Sequence, residues 1–208
     1  SAKGNIEIEI VILYSLTDLP EINQYNIKIH TIDRIIKKDP FVYFKLLKIV
    51  NKFKPDIINS WSLMPAVYGL PIAKIKRIKF INSMIVNCPD KLDFHTKFFS
   101  FLTLPFSDVI VANSKAGLSA YNVGKNGLVI YNGYNFSRSE NLKDPDCVRI
   151  ELNIKTKYVA GMVAVFRSQK DYKSLILSAN SICKERSDIT FILVGDGPTL
   201  QENKKLSE

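Results

Sequence analysis

The sequence of 208 residues has few of the side chains that form metal sites and disulfide frameworks. It contains two histidines, His30 and His95, which nearly excludes a zinc site built from histidine. The three cysteines are Cys88, Cys147 and Cys183; they form no C-x-x-C pair, and their odd number argues against a disulfide framework. We therefore expect no metal, no cofactor and a reducing compartment such as the cytoplasm.

Long apolar runs and low-complexity segments are also missing. No stretch approaches the roughly 18 consecutive apolar residues that a membrane-spanning helix needs. Nine glycines and nine prolines are too few for a collagen-like or low-complexity chain. With 46% hydrophobic and 24% charged residues, the composition is that of an ordinary globular protein.

Acidic residues are fewer than basic ones: 29 Lys and Arg against 20 Asp and Glu give a net charge of +9. Residues 45–79 contain a single acid, Asp56, and eight basic residues, namely Lys45, Lys48, Lys52, Lys54, Lys74, Lys76, Arg77 and Lys79. This segment could meet phosphates, an anionic acceptor or the surface of a membrane. The simpler interpretation is that the lysines form the solvated faces of two helices. Because no zinc-finger or RNA-recognition signature accompanies them, we expect no nucleic-acid partner.

Apolar runs and helical periods alternate along the chain. Strands are predicted at residues 6–13, 27–32, 56–59, 79–84, 108–112 and 128–131. Helices are predicted at residues 41–53, 64–75 and 94–102, and after an N-cap at Ser114. Gly69 and Pro71 make the interior of the second helix suspect. This alternation predicts an α/β fold with Rossmann-like parallel sheets and helices on both faces.

The composition changes after residue 132. Residues 132–157 are polar and contain N-G and D-P pairs, which predicts a connector with a short helix near residues 148–152. The pattern then restarts with a strand at 158–166, a helix capped by Asp171, a strand at 190–194 and a last helix with Pro198 at its first position. We therefore predict a partial first domain (1–132), a linker or hinge (133–157) and the start of a second domain (158–208).

Four loops follow predicted strands at the edge where such sheets bind ligands: 59–63, 83–90, 161–171 and 195–198. The third is chemically the richest. Gly161 lets a ligand or another backbone approach closely, and Arg167 and Lys170 stand where a diphosphate could lie. The alternative is a solvated loop with two surface cations. Gly195 to Gly197 likewise fits a tight turn, since neither a G-x-G-x-x-G fingerprint nor a P-loop is present.

Five segments together resemble, in the right order, the motifs of one enzyme family. They are K-P-D-I-I-N-S-W at 54–61, S-D-V-I-V-A-N-S at 107–114, L-V-I-Y-N-G at 128–133, G-M-V-A-V-F-R-S-Q-K-D-Y-K-S-L at 161–175 and I-L-V-G-D-G-P at 192–198. The family is that of the family 4, or group 1, glycosyltransferases. Its members have the GT-B architecture and transfer a sugar from a nucleotide-sugar donor, with retention of configuration and without an essential metal.

The resemblance implies roles for particular residues. Those implied are the donor diphosphate site (Gly161, Arg167, Lys170), the nucleotide-side loop (Gly195, Asp196, Gly197), the hinge (Asn132, Gly133) and the acceptor side (Trp61, Ser83, Asn113). A half-buried Trp61 that fills a loop is an equally good interpretation. His95 lies beyond the position where the family often carries a histidine, so no catalytic base is assigned.

The family's first strand, with its Gly-Gly loop, and its E-x7-E segment have no counterpart in the sequence. We therefore expect an internal piece of a longer enzyme that is inactive by itself and tends to self-associate. The expected partners are a nucleotide-sugar donor and a glycan or lipid-linked acceptor. Relatives commonly act in bacterial polysaccharide or lipopolysaccharide biosynthesis, some at the inner face of the membrane. Two alternatives stay open: a GT-B nucleotide-sugar epimerase and a non-catalytic nucleotide- or phosphate-binding α/β module.

Overall fold

The computed structural model describes residues 6–13, 25–34, 36 and 39–208. They belong to two compact units, unit 1 (Ser1–Tyr134) and unit 2 (Asn135–Glu208). The described strands of unit 1 are β1 (Glu9–Ile12), β2 (Lys28–Thr31), β3 (Ile57–Trp61), β4 (Lys79–Ile85), β5 (Val109–Ala112) and β6 (Gly127–Val129). Its described helices are α1 (Phe41–Phe53), α2 (Leu63–Lys76), α3 (Phe94–Thr103) and α4 (Lys115–Ala120).

The strands of unit 1 pair in parallel throughout the described residues. β1 pairs with β2, and the other four form a sheet in the order β3-β4-β5-β6. Unit 2 contains the strands β7 (Tyr158–Val163) and β8 (Ile189–Val194), also parallel, with the helices α5 (Pro145–Glu151), α6 (Tyr172–Glu185) and α7 (Leu200–Ser207). The predicted parallel α/β architecture is therefore confirmed.

The two long helices of unit 1 cover its sheets. α1 has the predicted bounds; it buries Val42 and Val50, and it ends where Lys54 adopts a left-handed conformation. α2 continues through Pro71, although proline leaves one helical carbonyl without its usual N–H partner. A Cβ at Gly69 would lie 3.1 Å from the ring of Phe80, so this glycine lets the helix approach β4. Close packing thus compensates for the residues that made this helix suspect.

Asp108 joins α2, β4 and the start of β5. Its carboxylate accepts the backbone N–H of Phe80 at 2.9 Å, and it lies 3.2 Å from Nζ of Lys74 and 3.5 Å from Nζ of Lys79. The Phe80 N–H and then the Lys74 ammonium lower the pKa of Asp108 below its usual value. Two of the eight basic residues in the segment 45–79 therefore have a structural anion as partner.

Two sequence-based element boundaries in unit 2 are wrong. β7 ends at Val163 rather than at residue 166: the Ala164 N–H still donates to Val194 of β8, but Phe166 bonds to the loop after β8. Pro198 is not the first residue of the last helix, since it lies in a turn and α7 begins at Leu200 with Thr199 as its N-cap. The short helix predicted in the connector is present as α5, which begins three residues earlier than expected.

No helix among the described residues combines the length and the apolar character needed to cross a bilayer.

Candidate anion-binding loop

The loop between β7 and α6 is held by two stacked aromatic rings. The rings of Phe166 and Tyr172 have centroids 3.8 Å apart and planes that differ by 8°, and both side chains are buried. The Tyr172 hydroxyl donates to the carbonyl of Ala164 at 2.7 Å. These contacts join the start of the loop to the first turn of α6. They hold in place both ends of the segment 167–171, which lies between them. Neither aromatic side chain was predicted to support the loop, although the F-x5-Y spacing around the two cations marks them.

The loop after β8 packs its backbone directly against residues 164–166. The N–H of Phe166 donates to the carbonyl of Asp196 at 2.9 Å, and the N–H of Thr199 donates to the carbonyl of Phe166 at 3.1 Å. Gly195 and Gly197 have φ values of +152° and +153°, and a Cβ at either one would overlap the backbone of Ala164 or Phe166. The turn requires glycine at both positions for its own packing.

Gly161 is also explained by its neighbours in the sheet. It pairs with Ile192 of β8, and a Cβ on Gly161 would lie 2.8 Å from the Ile192 carbonyl oxygen. The backbone that approaches this glycine closely is therefore that of the adjacent strand. Its role beside a donor diphosphate stays a prediction.

Arg167 and Lys170 lie at the two ends of one tight turn. A 3-10 helix spans Ser168–Lys170, and the N–H of Lys170 donates to the carbonyl of Arg167 at 3.0 Å. Such a turn keeps the two Cα atoms within about 7 Å. Both side chains are exposed, and among the described residues neither forms an ion pair with a carboxylate. The structure thus places two uncompensated cations on neighbouring positions of a firmly supported turn.

The N-terminus of α6 follows immediately. Asp171 caps it as predicted, because its carboxylate accepts the N–H of Ser174 at 3.3 Å. Asp171 itself has φ of +38°, a left-handed conformation that Asp and Asn tolerate better than most residues. The backbone N–H groups of Tyr172 and Lys173 belong to the first turn, where no intrahelical acceptor exists. Their partial positive charge adds to that of the two cations.

The predicted acceptor-side residues lie at the carboxyl ends of three strands of unit 1. Trp61 ends β3, and its register partner Ser83 lies two residues before the end of β4. Ser83 is buried, and its hydroxyl donates to the side-chain oxygen of Asn59 at 2.8 Å. The Asn113 amide, after β5, donates to the carbonyl of Val86 at 3.1 Å.

Trp61 differs from the other two because its side chain is 69% exposed. The interpretation of a half-buried tryptophan that fills a loop is therefore wrong. A large aromatic ring left in solvent at the ligand-binding edge of a parallel sheet remains available for a binding partner.

The proposed hinge residues, Asn132 and Gly133, are exposed at the end of unit 1. A Cβ at Gly133 would meet no atom within 4 Å, and the residue does not have a positive φ. Their role as a hinge stays a prediction.

Ser114 is confirmed as the N-cap of α4, since its hydroxyl oxygen accepts the N–H of Gly117 at 3.1 Å.

Among the described residues, no group of three or more His, Cys, Asp or Glu side chains is arranged to hold a metal ion.

No protein-family model and no curated protein sequence matches the chain. Several solved structures do. HepE from Anabaena, solved in complex with UDP, is 18% identical over 95% of this chain and 56% of its own chain, with a TM-score of 0.73. A glycosyltransferase from Rickettsia africae is 20% identical over 95% of this chain and 55% of its own, with a TM-score of 0.68. A UDP-GlcNAc 2-epimerase from Methanocaldococcus jannaschii is 13% identical over 97% of this chain and 68% of its own, with a TM-score of 0.57.

At these identities the likeness shows the fold alone. The chain spans about 56% of the length of HepE and a similar share of the Rickettsia protein. It has the α/β fold of GT-B proteins, with parallel sheets and helices on both faces.

Proposed function

We propose that this chain is part of a retaining glycosyltransferase that transfers a hexose from a nucleotide-sugar donor to a glycan or lipid-linked acceptor. The observation that carries the proposal is the turn with Arg167 and Lys170, which holds two exposed cations directly before the capped N-terminus of α6. The sequence motifs at 161–175 and 192–198 support membership of family 4. HepE, whose fold is similar, binds UDP, which supports a nucleoside diphosphate at the site.

The chemistry follows from where charge develops. When a sugar leaves its nucleoside diphosphate, negative charge grows on the oxygens of the departing phosphate. The Arg167 guanidinium offers several N–H donors in a planar fork, and the Lys170 ammonium is a compact point charge. Positive groups that are already in place before the reaction lower the barrier without further reorganisation. We therefore expect the reaction to require no metal ion.

The acceptor is expected at the exposed Trp61, with Asn113 and Ser83 near the same carboxyl-terminal end of the sheet.

All eight basic residues of the segment 45–79 are exposed. Lys74 and Lys79 pair with Asp108, whereas the other six form no ion pair with any residue that the structure describes. We propose that they allow peripheral contact with the cytoplasmic face of a membrane, where lipid-linked acceptors for polysaccharide or lipopolysaccharide synthesis are found.

An epimerase that acts on the nucleotide sugar alone is the second candidate. The likeness to the Methanocaldococcus epimerase favours it, although the TM-score of 0.57 is lower than the 0.73 for HepE. A non-catalytic nucleotide-binding module is the third. All three share a diphosphate site, so the site and the reaction need separate tests.

The site is tested by calorimetric titration of the complete encoded polypeptide with UDP, GDP and ADP. We expect Arg167→Ala and Lys170→Ala each to weaken binding of the preferred nucleotide at least about tenfold, the effect of losing one charged hydrogen bond. Lys184→Ala is the matched control, because Lys184 is an exposed lysine in the last turn of the same helix α6. Unchanged affinity in both loop variants would overturn the assignment of the site.

The reaction is tested by incubating the complete polypeptide with nucleotide sugars, with and without lipid and glycan acceptors. A glycosyltransferase releases nucleoside diphosphate in proportion to the acceptor that is added. An epimerase interconverts two nucleotide sugars without any acceptor, and a non-catalytic module does neither. We expect the 208-residue chain alone to show no turnover.

A further inference from the structure

The helix α3 presents aromatic side chains to the outside. Phe94, Phe98 and Phe101 occupy positions i, i+4 and i+7, which lie on one face of a helix. These three residues, which we call the phenylalanine face, are between 48% and 83% exposed. The rings of Phe94 and Phe98 are nearly parallel, with centroids 6.4 Å apart. A helix on the surface of a globular protein normally has polar side chains at such positions.

The opposite side of α3, which packs against the protein, is the more polar one. Ser100 and Thr103 are buried there. The Thr103 hydroxyl donates to the Phe99 carbonyl at 2.8 Å, whereas the buried Ser100 hydroxyl has no hydrogen-bond partner within the part of the chain that the structure describes. The helix is therefore amphipathic in the reverse sense, with its strongly apolar side outward. Exposed apolar patches of this kind mark sites that bind a protein or a membrane.

The helices around the phenylalanine face carry charge of one sign. α2 and α3 connect successive neighbouring strands, and right-handed crossovers place both helices on the same side of the sheet. α2 also packs against α1, so the three helices form one layer. None of the three helices contains an acidic residue. Together they contain six lysines, all of them exposed: Lys45, Lys48, Lys52, Lys74, Lys76 and Lys97.

The acids at the two ends of α3 already have partners. Asp93 caps the helix by accepting the Thr96 N–H at 3.0 Å, and Asp108 pairs with Lys74. Lys97 lies four residues before Phe101, and it forms no ion pair within the described residues. A cation therefore stands directly beside the phenylalanine face.

The charge and the size of this surface indicate which partner it fits. A symmetric dimer through the phenylalanine face would bring two acid-free layers of lysines together, and like charges repel. A stable interface also buries about 800 Å² on each partner, which is more than three partly exposed phenylalanines of about 200 Å² each supply. A bilayer with anionic lipids fits both features, because phenylalanine enters the layer below the headgroups and lysine attracts the anionic headgroups.

We propose that the phenylalanine face inserts into the interfacial layer of a bilayer that contains anionic lipids, while the lysines of α1, α2 and α3 contact the lipid headgroups. This contact rests on the peripheral membrane association in the proposed function and deepens it. It adds α3, which lies outside the segment 45–79, and it adds an apolar contribution to the electrostatic one. Because salt screens only the electrostatic part, binding is expected to weaken at high ionic strength without vanishing.

Sedimentation of the complete encoded polypeptide with vesicles, without nucleotide or acceptor, tests the insertion. With vesicles of phosphatidylcholine and phosphatidylglycerol, we expect Phe101→Ala to weaken binding at least about fivefold. Phe136→Ala is the matched control, because Phe136 is 77% and Phe101 is 73% exposed, but Phe136 lies outside the three helices. Equal binding by the two variants would overturn the proposal.

The same assay tests the charges. We expect vesicles of phosphatidylcholine alone to bind the unmodified polypeptide at least about tenfold more weakly than the anionic vesicles. Lys97→Gln should weaken binding to the anionic vesicles about fivefold at low salt, the effect of one cation near such a surface. Lys205→Gln, at an exposed lysine of α7, is the control and should change it little. Equal losses in the two lysine variants would contradict a contact through α3.

Two other occupants of the phenylalanine face give different results in lipid-free buffer. A dimer in light scattering that Phe101→Ala dissociates would assign the face to a second copy. A fall in Tm on Phe101→Ala as large as that on Phe80→Ala, at a fully buried ring, would assign it to another segment of the same polypeptide. Either result overturns the proposal.

The outcomes also separate this proposal from the proposed function. If the unmodified polypeptide binds anionic vesicles and Phe101→Ala binds them equally well, only the insertion of α3 is wrong. If the unmodified polypeptide does not bind them, the peripheral membrane contact is wrong as well. Calorimetric titration with UDP tests the nucleotide site in both cases, and we expect Phe101→Ala to leave the UDP affinity unchanged.

Discussion

The ring of Tyr172 lies on the ring of Phe166 with 3.8 Å between centroids, and its hydroxyl donates to the Ala164 carbonyl at 2.7 Å. A single side chain at the start of α6 thus contacts both ends of the three-residue segment that leads into the cationic turn. The position of Arg167 depends on this aromatic stack, although neither ring carries charge.

The hydroxyl of Tyr172 has a contribution that can be separated from its ring. We expect Tyr172→Phe to keep the stack, to lose the bond to Ala164 and to lower the free energy of unfolding by about 1 kcal/mol. Tyr131→Phe is the control, because Tyr131 is largely exposed. Thermal melts of both variants provide the measurement, and equal stability of the two would contradict the role given to the hydroxyl.

The glycines after β8 are required by the fold. A Cβ on Gly195 would lie 1.9 Å from the Ala164 carbonyl oxygen, and its φ of +152° is strained for any other residue. We expect Gly195→Ala to cost at least about 2 kcal/mol of stability in the absence of any ligand. Gly133→Ala, placed in open space, should be close to neutral. Chemical denaturation measures the stability of both variants. If Gly195→Ala is as stable as the unmodified chain, the loop can rearrange to accept the added Cβ.

Asp171 combines two demands that alanine does not meet. It accepts the Ser174 N–H as the N-cap of α6, and it adopts a left-handed backbone conformation. We expect Asp171→Ala to lower stability by about 1–2 kcal/mol, whereas Asp171→Asn should retain it, because asparagine caps helices and tolerates this conformation. Chemical denaturation measures the stability of both variants. Equal losses of stability would refute the role of Asp171 as the N-cap of α6.

The same asparagine variant addresses the electrostatics of the loop. Removal of the Asp171 carboxylate takes a negative charge away from the neighbourhood of Lys170. We expect Asp171→Asn to bind a nucleoside diphosphate more tightly at low salt, and the gain to shrink as ionic strength rises. Titrations of the complete polypeptide at two salt concentrations measure it. Weaker binding would mean that the anion does not lie at this turn.

Asp108 makes the stability of unit 1 depend on pH. Its pKa lies below the ordinary 3.8 because it accepts the Phe80 N–H and faces the Lys74 ammonium. A lowered pKa stabilises the fold above pH 3.8, and this stabilisation is lost as the pH falls through the folded-state value. We expect Asp108→Asn to be less stable by about 1–2 kcal/mol at pH 7, with the difference shrinking in acid.

Melting curves between pH 7 and pH 3 measure that difference. Asp90→Asn, at an exposed acid, serves as the control and should show little difference from the unmodified chain at any pH. If Asp108→Asn is less stable than the unmodified chain by the same amount at every pH, the geometry of the hydrogen bond and not the charge of the carboxylate stabilises the fold.

Local signals predicted the elements well where they agreed with packing. The threefold spacing of Phe41, Phe44 and Leu47 predicted α1 with its observed bounds, and Ser114 and Asp171 were correctly identified as caps. The interior of α2 was doubted because Gly69 and Pro71 are poor helix formers, and the sequence does not show that Gly69 packs against Phe80 of β4. The sequence alone does not show such contacts.

The candidate site was located by its charges and its position after a strand. Arg167 and Lys170 were predicted on a loop before a helix, and they are there. The reasons for the glycines were not visible, because Gly161 faces Ile192 and Gly197 faces Phe166 across the sheet. The stack of Phe166 on Tyr172 was missed because it spans a loop, where neither the helical nor the strand period predicts contacts.

The backbone bonds that hold residues 164–166 to the turn after β8 involve no side chain of the exposed positions Val165, Arg167, Ser168 and Gln169. Evolution can therefore exchange these four side chains with little penalty in folding. Proteins that use a different leaving group can change these side chains and keep the same backbone conformation. We therefore expect differences in specificity to concentrate at these four positions.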